Sequence, residues 1–212
     1  MAEVFPGLDP ESLPQEERSE IFDLQIQITS LRSYVDDFLA VLTLFDAVPN
    51  LEAANKMHAA TIRRWSFVAA RDGAMTIYHF GKALELVRSL KNMPTLRSLV
   101  NVTELREAGR EFNSKFPLYE KIRHAVAHSA ERLRRDKRIK HSFSGTMSAG
   151  GIYIENSQNV RISSNLYDRE FGYTVEGVYV SYSVSHETYS QLAMIQQRVW
   201  RAFDPACHKF SI

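Results

Sequence analysis

Arg123 and His128, with four residues between them in Ile122-Arg123-His124-Ala125-Val126-Ala127-His128-Ser129, are side chains that could cut a phosphodiester without a metal. Arginine is a permanent cation whose planar fork of donors fits a phosphate. Histidine takes or gives a proton near neutral pH. Spacing alone says little, because Arg134 and Arg135 before His141, and Arg201 before His208, fall within the same four-to-six-residue gap. Placement on a helix sets the first pair apart.

Tyr119, Ile122, Val126, Ala130 and Leu133 recur at steps of three and four and predict the buried stripe of one helix. At about 100° per residue, His124 and His128 point away from that stripe, and Arg123 lies on the flank about 140° from His128. A satisfied core histidine fits this phasing badly, so the bland alternative is a pair of exposed histidines without a task. Arg132, Arg134, Arg135 and Arg138 follow, with Lys137 and Lys140 among them and only Asp136 opposing. The run is either a solvated helix end or a patch that contacts RNA phosphates. Its nearness to Arg123 and His128 favours the patch.

The chain that must position these groups has 212 residues, 44% hydrophobic and 24% charged, enough for a substantial core. One domain with an appendage is expected. The net charge of +1 places any nucleic-acid affinity in a local patch. The single Cys207 excludes an internal disulfide and fits a reducing compartment. No basic, apolar leader precedes Pro14, and the longest apolar run, Phe38 to Leu42, is too short to span a bilayer. A cytoplasmic protein without membrane contact is the expectation.

The expected fold is mainly α, a helical bundle with a small antiparallel β appendage and a C-terminal helix. Residues 1–12 read as an irregular, proline-rich arm, 13–140 as the bundle, and 141–212 as hairpins plus a last helix. The first helix carries a seam of Ile21, Leu24, Ile28, Leu31, Val35, Phe38, Leu42 and Phe45, and should end before Pro49. The second is expected to bury Ala54, Met57, Thr61, Trp65 and Val68, then Ile77, Phe80, Leu84 and Val87, with a break or kink at Asp72-Gly73. One shorter helix should carry Leu96, Leu99, Leu105 and Phe112, and Pro117 should open the helix of the Arg–His pair. In the tail, Gly151–Glu155 and Val160–Ser163 predict a hairpin around Asn156–Asn159, and a second hairpin turns at Glu176-Gly177. Ser185 should cap the last helix, which buries Tyr189, Leu192, Ile195, Val199 and Phe203.

The stretch from Arg123 to His128 resembles the signature of the HEPN superfamily, common in prokaryotic toxin–antitoxin, abortive-infection and CRISPR systems. In that signature an arginine, then usually a polar residue, precedes a histidine by four to six positions. Here His124 fills the polar slot, often asparagine in the family. The resemblance extends over the helical part, and only the motif helix is matched residue by residue. It implies an up-and-down bundle with the motif on a late helix, which agrees with the helix order read above. It also implies a metal-independent endoribonuclease with no cofactor, active as a homodimer. The RNA 2′-hydroxyl would attack the adjacent phosphorus, leaving a 2′,3′-cyclic phosphate and a 5′-hydroxyl, and DNA would be inert. His128 would act as general base or acid, Arg123 would stabilise the transition state, and His124 would orient Arg123 or transfer a second proton. An antitoxin protein is the partner such systems imply. Ala130 stands where a subset of these toxins carries a tyrosine modified by a nucleotidyltransferase, which sets this chain apart from that pairing.

Three other readings compete. A HEPN-like bundle could hold RNA, a nucleotide or a protein without cutting. His124 and His128, with His141, could grip a zinc ion, although no glutamate or cysteine cluster accompanies them. The apolar seams could build an oligomeric adaptor, although such stripes are more often core. Arg71-Asp72 reads as a local pair or turn. Tyr153, Tyr167, Tyr173, Tyr179 and Tyr182 could stack on bases but fit ordinary strand positions better.

Overall fold

The computed structural model describes Phe5, Gly7, Leu8 and residues 10–127 and 140–210, apart from the side chains of Ser12 and 208–210. Among the described residues it is mainly helical, with small antiparallel sheets ahead of a C-terminal helix. The helices are α1 (Gln15–Ala54), α2 (Ala59–Val87), α3 (Pro94–Leu99), α4 (Val102–Lys115), α5 (Tyr119–Ala127) and α6 (His186–Phe210). The strands are β1 (Phe143–Ala149), β2 (Ile152–Val160), β3 (Asn165–Tyr167), β4 (Glu170–Val175) and β5 (Val178–Ser183). No helix among the described residues is long and apolar enough to cross a membrane.

The chain divides into two compact units, and α1, α2 and α6 each contribute to both. The first comprises Met1–Asp36, His79–Pro117 and Tyr189–Ile212. Its core is the expected one: Ile21, Leu24, Ile28, Leu31 and Val35 of α1, Phe80, Leu84 and Val87 of α2, and Leu192, Ile195, Val199 and Phe203 of α6 are all buried. Phe112 of α4 stacks on Phe80 at 5.6 Å and meets Phe116 at 5.1 Å.

The single helix expected across Leu96 to Phe112 is instead two, α3 and α4. Val100 is extended, and the Asn101 side chain accepts from the Thr103 and Glu104 amides, so a new cap starts α4. The start of α3 is capped from a distance. Met93 precedes it and has no polar side chain, but Glu17 of α1 reaches over to accept from the Thr95 and Leu96 amides at 2.8 and 3.1 Å.

Glu17 is 3% exposed. Burial raises its pKa, but the hydrogen bonds from Thr95 and Leu96 outweigh this and hold it below the ordinary 4.5. A depressed folded pKa means the stability is present above the ordinary value and is lost as pH falls through the folded one. Glu17→Gln should therefore lower stability at neutral pH by about 1–2 kcal/mol. Its deficit against the wild type should close as the pH drops below 4.5 in chemical denaturation, and a deficit constant with pH would reject the charged cap.

The second unit comprises Asp37–Tyr78 and Leu118–Thr188. Here α1 does not stop before Pro49 but continues to Ala54. A proline inside a helix costs about 3 kcal/mol, and tertiary contacts on both sides of it offset this. Val48 is buried, Arg169 lies over the Phe45 ring at 5.4 Å and pairs with Asp46, and Arg63 pairs with Glu52.

The first part of the inner stripe expected for the second helix faces out: Thr61, Trp65 and Val68 (58%) of α2 are exposed, and so are Ala54 and Met57 (88%), which precede α2. Its continuation through Ile77, Phe80, Leu84 and Val87 is buried as expected. Before that continuation the inner face is made of Ile62, Ala69, Ala70, Gly73 and Ala74. Hydropathy overlooks this face because small side chains carry little of the signal, yet they allow close packing. The helix is also unbroken at Gly73, whose missing side chain leaves room for the Tyr182 hydroxyl, and that hydroxyl donates to the Ala70 carbonyl.

The first hairpin is displaced. β2 runs straight through Asn156–Asn159, and its turn is Gly150-Gly151, both at positive φ (56° and 69°), where it pairs with β1. Asn156 and Asn159 have φ of 45° and 56° and mark the two places where the ladder slips by a residue. They are bulges, which borrow the same left-handed conformation as a turn. The second hairpin turns at Glu176-Gly177 as expected, in a sheet ordered β3-β4-β5. Ser185 caps α6 by accepting from the Thr188 amide at 3.3 Å.

Candidate functional site

α5 takes its phase from the expected stripe. Tyr119, Ile122 and Val126 are buried, joined by Ala125, and the helix packs on β4 and β5. Lys121 on its flank pairs with Glu176 of the β4–β5 turn at 3.5 Å. His124 is exposed, on the side away from the buried residues. Arg123 is half-buried between the two faces, as the flank position predicts.

The surroundings of Arg123 come from elements distant in sequence. Its guanidinium lies 5.1 Å from the centre of the Tyr78 ring, at the end of the α2 segment in this unit, and Tyr78 in turn tilts against Tyr119 at 6.2 Å. The ring's negative face favours the cation and fixes the plane of the fork. Arg123 Nε is buried and has no hydrogen-bond partner among the described residues. Leaving a buried donor unmatched costs about 1–3 kcal/mol. The arrangement orients a guanidinium by an aromatic face, and a fork so held suits an anion or a developing oxyanion. Tyr78 sits far from Arg123 in sequence, and nothing in the spacing pointed to it.

His128, Arg132, Arg134, Arg135 and Arg138 lie outside the described residues. The remaining candidates are placed as follows. His141 is buried, whereas His124 is exposed, and among the described residues no three His, Cys, Asp or Glu side chains form a group able to hold a metal ion. Tyr173 and Tyr182 are buried in the core of the sheet, so neither can stack on a base, while Tyr153 and Tyr167 are exposed. Arg71 and Asp72 stand in mid-helix, not in a turn, and line a cleft of about 450 Å³ with Val41, Leu44, Met75 and Val126. Neither Arg123 nor His124 lines it.

Two other reactive groups are structural. Burial, with Asp204 close by, pushes the Cys207 thiol up to about 11, so it is not a poised nucleophile. Arg169 joins Asp46 to the Val184 carbonyl, and His186 Nε2 stands 3.7 Å from Asp46. This cluster has its donors and acceptors directed at one another and ties the β3–β4 turn and the end of β5 to α1 within the unit.

No family model, curated protein or solved structure matches the chain.

Proposed function

We propose that the protein is a metal-independent endoribonuclease of HEPN type, working as a homodimer in RNA-targeting defence or toxin–antitoxin control. The observation that carries the reading is Arg123, seated on Tyr78 and next to the exposed His124 on α5. The mainly helical fold is compatible with the bundle that the resemblance implies.

In this reading the RNA 2′-hydroxyl attacks its own phosphodiester. His128 takes the proton from the hydroxyl or gives one to the 5′-oxygen that leaves. Arg123 donates to the non-bridging oxygens as charge builds on the phosphorane-like transition state. His124 orients Arg123 or supplies the second proton transfer. A second copy of the chain brings its own arginine and histidine to the same phosphate.

The test is incubation of purified protein with RNA in excess chelator. Fragments ending in a 2′,3′-cyclic phosphate and a 5′-hydroxyl are expected, and His128→Ala should abolish them while RNA binding persists. Binding without cleavage by the wild type would leave a non-catalytic RNA-binding module. A sample that cuts RNA yet is strictly monomeric by light scattering would sink the composite site.

A further inference from the structure

The α2–α3 connection, α3 and α4 bring four cations, Arg88, Lys91, Arg97 and Arg106, around one cleft of about 260 Å³ in the first unit. Leu90 and Leu105 add an apolar wall, and no carboxylate lines it. The acids of α4 are engaged elsewhere. Glu104 and Glu111 both pair with Arg198 at 3.4 Å, and Glu107 pairs with Arg110. None of the four cations has a carboxylate partner among the described residues.

One of them is held in place. Arg88 lies across the backbone of α4 at Gly109, where a Cβ would collide with its guanidinium. Glycine in a helix interior costs about 1 kcal/mol relative to alanine. Its presence here leaves the space on α4 that the Arg88 guanidinium occupies. Lys91 also borders a neighbouring cleft that Glu20 and Asp23 line, but the like charges within this one repel one another, and a bound anion relieves that repulsion.

We infer that this cleft binds the phosphate backbone of a single nucleic-acid strand. Three of the four cations are arginines, whose forks match phosphate oxygens. No aromatic ring lines the cleft, so it offers no platform for bases, and its contacts are independent of sequence. Choosing RNA as the strand rests on the ribonuclease reading; the recognition of phosphate does not.

The full chain and its Arg97→Gln/Arg106→Gln variant should be titrated into a fluorescent 2′-O-methyl oligonucleotide, which 2′-hydroxyl attack cannot cut. Both arginines are exposed, so the fold should survive, and a thermal melt verifies it. Each phosphate contact to a single strand contributes about 0.7 to the slope of log affinity against log salt. The variant should lose about 1.4 of that slope, with affinity at low salt falling roughly tenfold. An equal charge of polyglutamate should fail to displace the oligonucleotide.

An unchanged slope, no binding by the wild type, or displacement by polyglutamate as effective as by RNA would each overturn the cleft. The last would assign it to an acidic protein. Failure of the two readings is separable. A protein that binds through these arginines but never cuts RNA keeps the cleft and loses the ribonuclease. A protein that cuts RNA while the variant keeps its slope does the reverse.

Discussion

Arg123→Ala is expected to slow RNA cleavage by about 10²–10³-fold, the loss typical of removing one preorganised donor from a developing oxyanion. Arg123→Lys should recover little. A lysine carries the charge as a compact point on a flexible stem, without the planar fork that the Tyr78 face orients. Tyr78→Leu should be intermediate, because it removes the orienting ring and leaves the guanidinium in place. Single-turnover cleavage with saturating protein reads the chemical step, and a melt checks the fold. Arg123 is only half-buried, so its loss should cost about 1 kcal/mol or less of stability. A wild-type cleavage rate in folded Arg123→Ala would remove Arg123 from the reaction and with it the Arg–His mechanism.

The second large effect has the opposite sign from what the sequence alone would suggest. Gly73 sits inside a helix, where alanine is normally better by about 1 kcal/mol. In this protein a Cβ at Gly73 would stand 2.5 Å from the Tyr182 hydroxyl, 3.1 Å from Val41 Cγ1 and 3.3 Å from Phe38 Cε2. Tyr182 cannot swing aside, because it is buried, donates to the Ala70 carbonyl and packs edge-on against Phe38 and Phe171. Gly73→Ala should therefore destabilise by about 2–3 kcal/mol.

Tyr182→Phe alone should cost about 1–2 kcal/mol through the lost hydrogen bond. The double variant removes the oxygen that the new methyl strikes, so it should be more stable than the sum of the single effects by 1 kcal/mol or more, that is, about the coupling found for residues in contact. Denaturant melts of the four proteins decide it. Additive effects would mean that the helix shifts to accept the methyl and that the close approach is not a constraint.

Much of the fold was readable from order and period. The α1 seam from Ile21 to Leu42, the inner residues of α6 from Leu192 to Phe203, the Ser185 cap and the Glu176-Gly177 turn depend on neighbours close in sequence, and each is present. Phe45 and Tyr189, expected in the same stripes, are only half-buried. The errors share a cause. In the first half of α2 the predicted stripe of Thr61, Trp65 and Val68 is exposed, while the buried face there is built largely from alanine and glycine. Asn156–Asn159 looked like a turn because bulges and turns draw on the same residues, and the adjacent Gly150-Gly151 took the turn instead.

At the candidate site, the sequence by itself determined which residues share α5 and which way they face, because helical phase is a local property fixed by 3.6 residues per turn. It put His124 outward and Arg123 on the flank. Only the tertiary structure decided that Arg123 meets Tyr78, that Glu17 caps α3, and that Gly73 yields its space to Tyr182. It also gathered Arg88, Lys91, Arg97 and Arg106 at one cleft. Each of these joins residues on different elements, and such pairings follow from how helices and strands pack, which no local periodicity encodes.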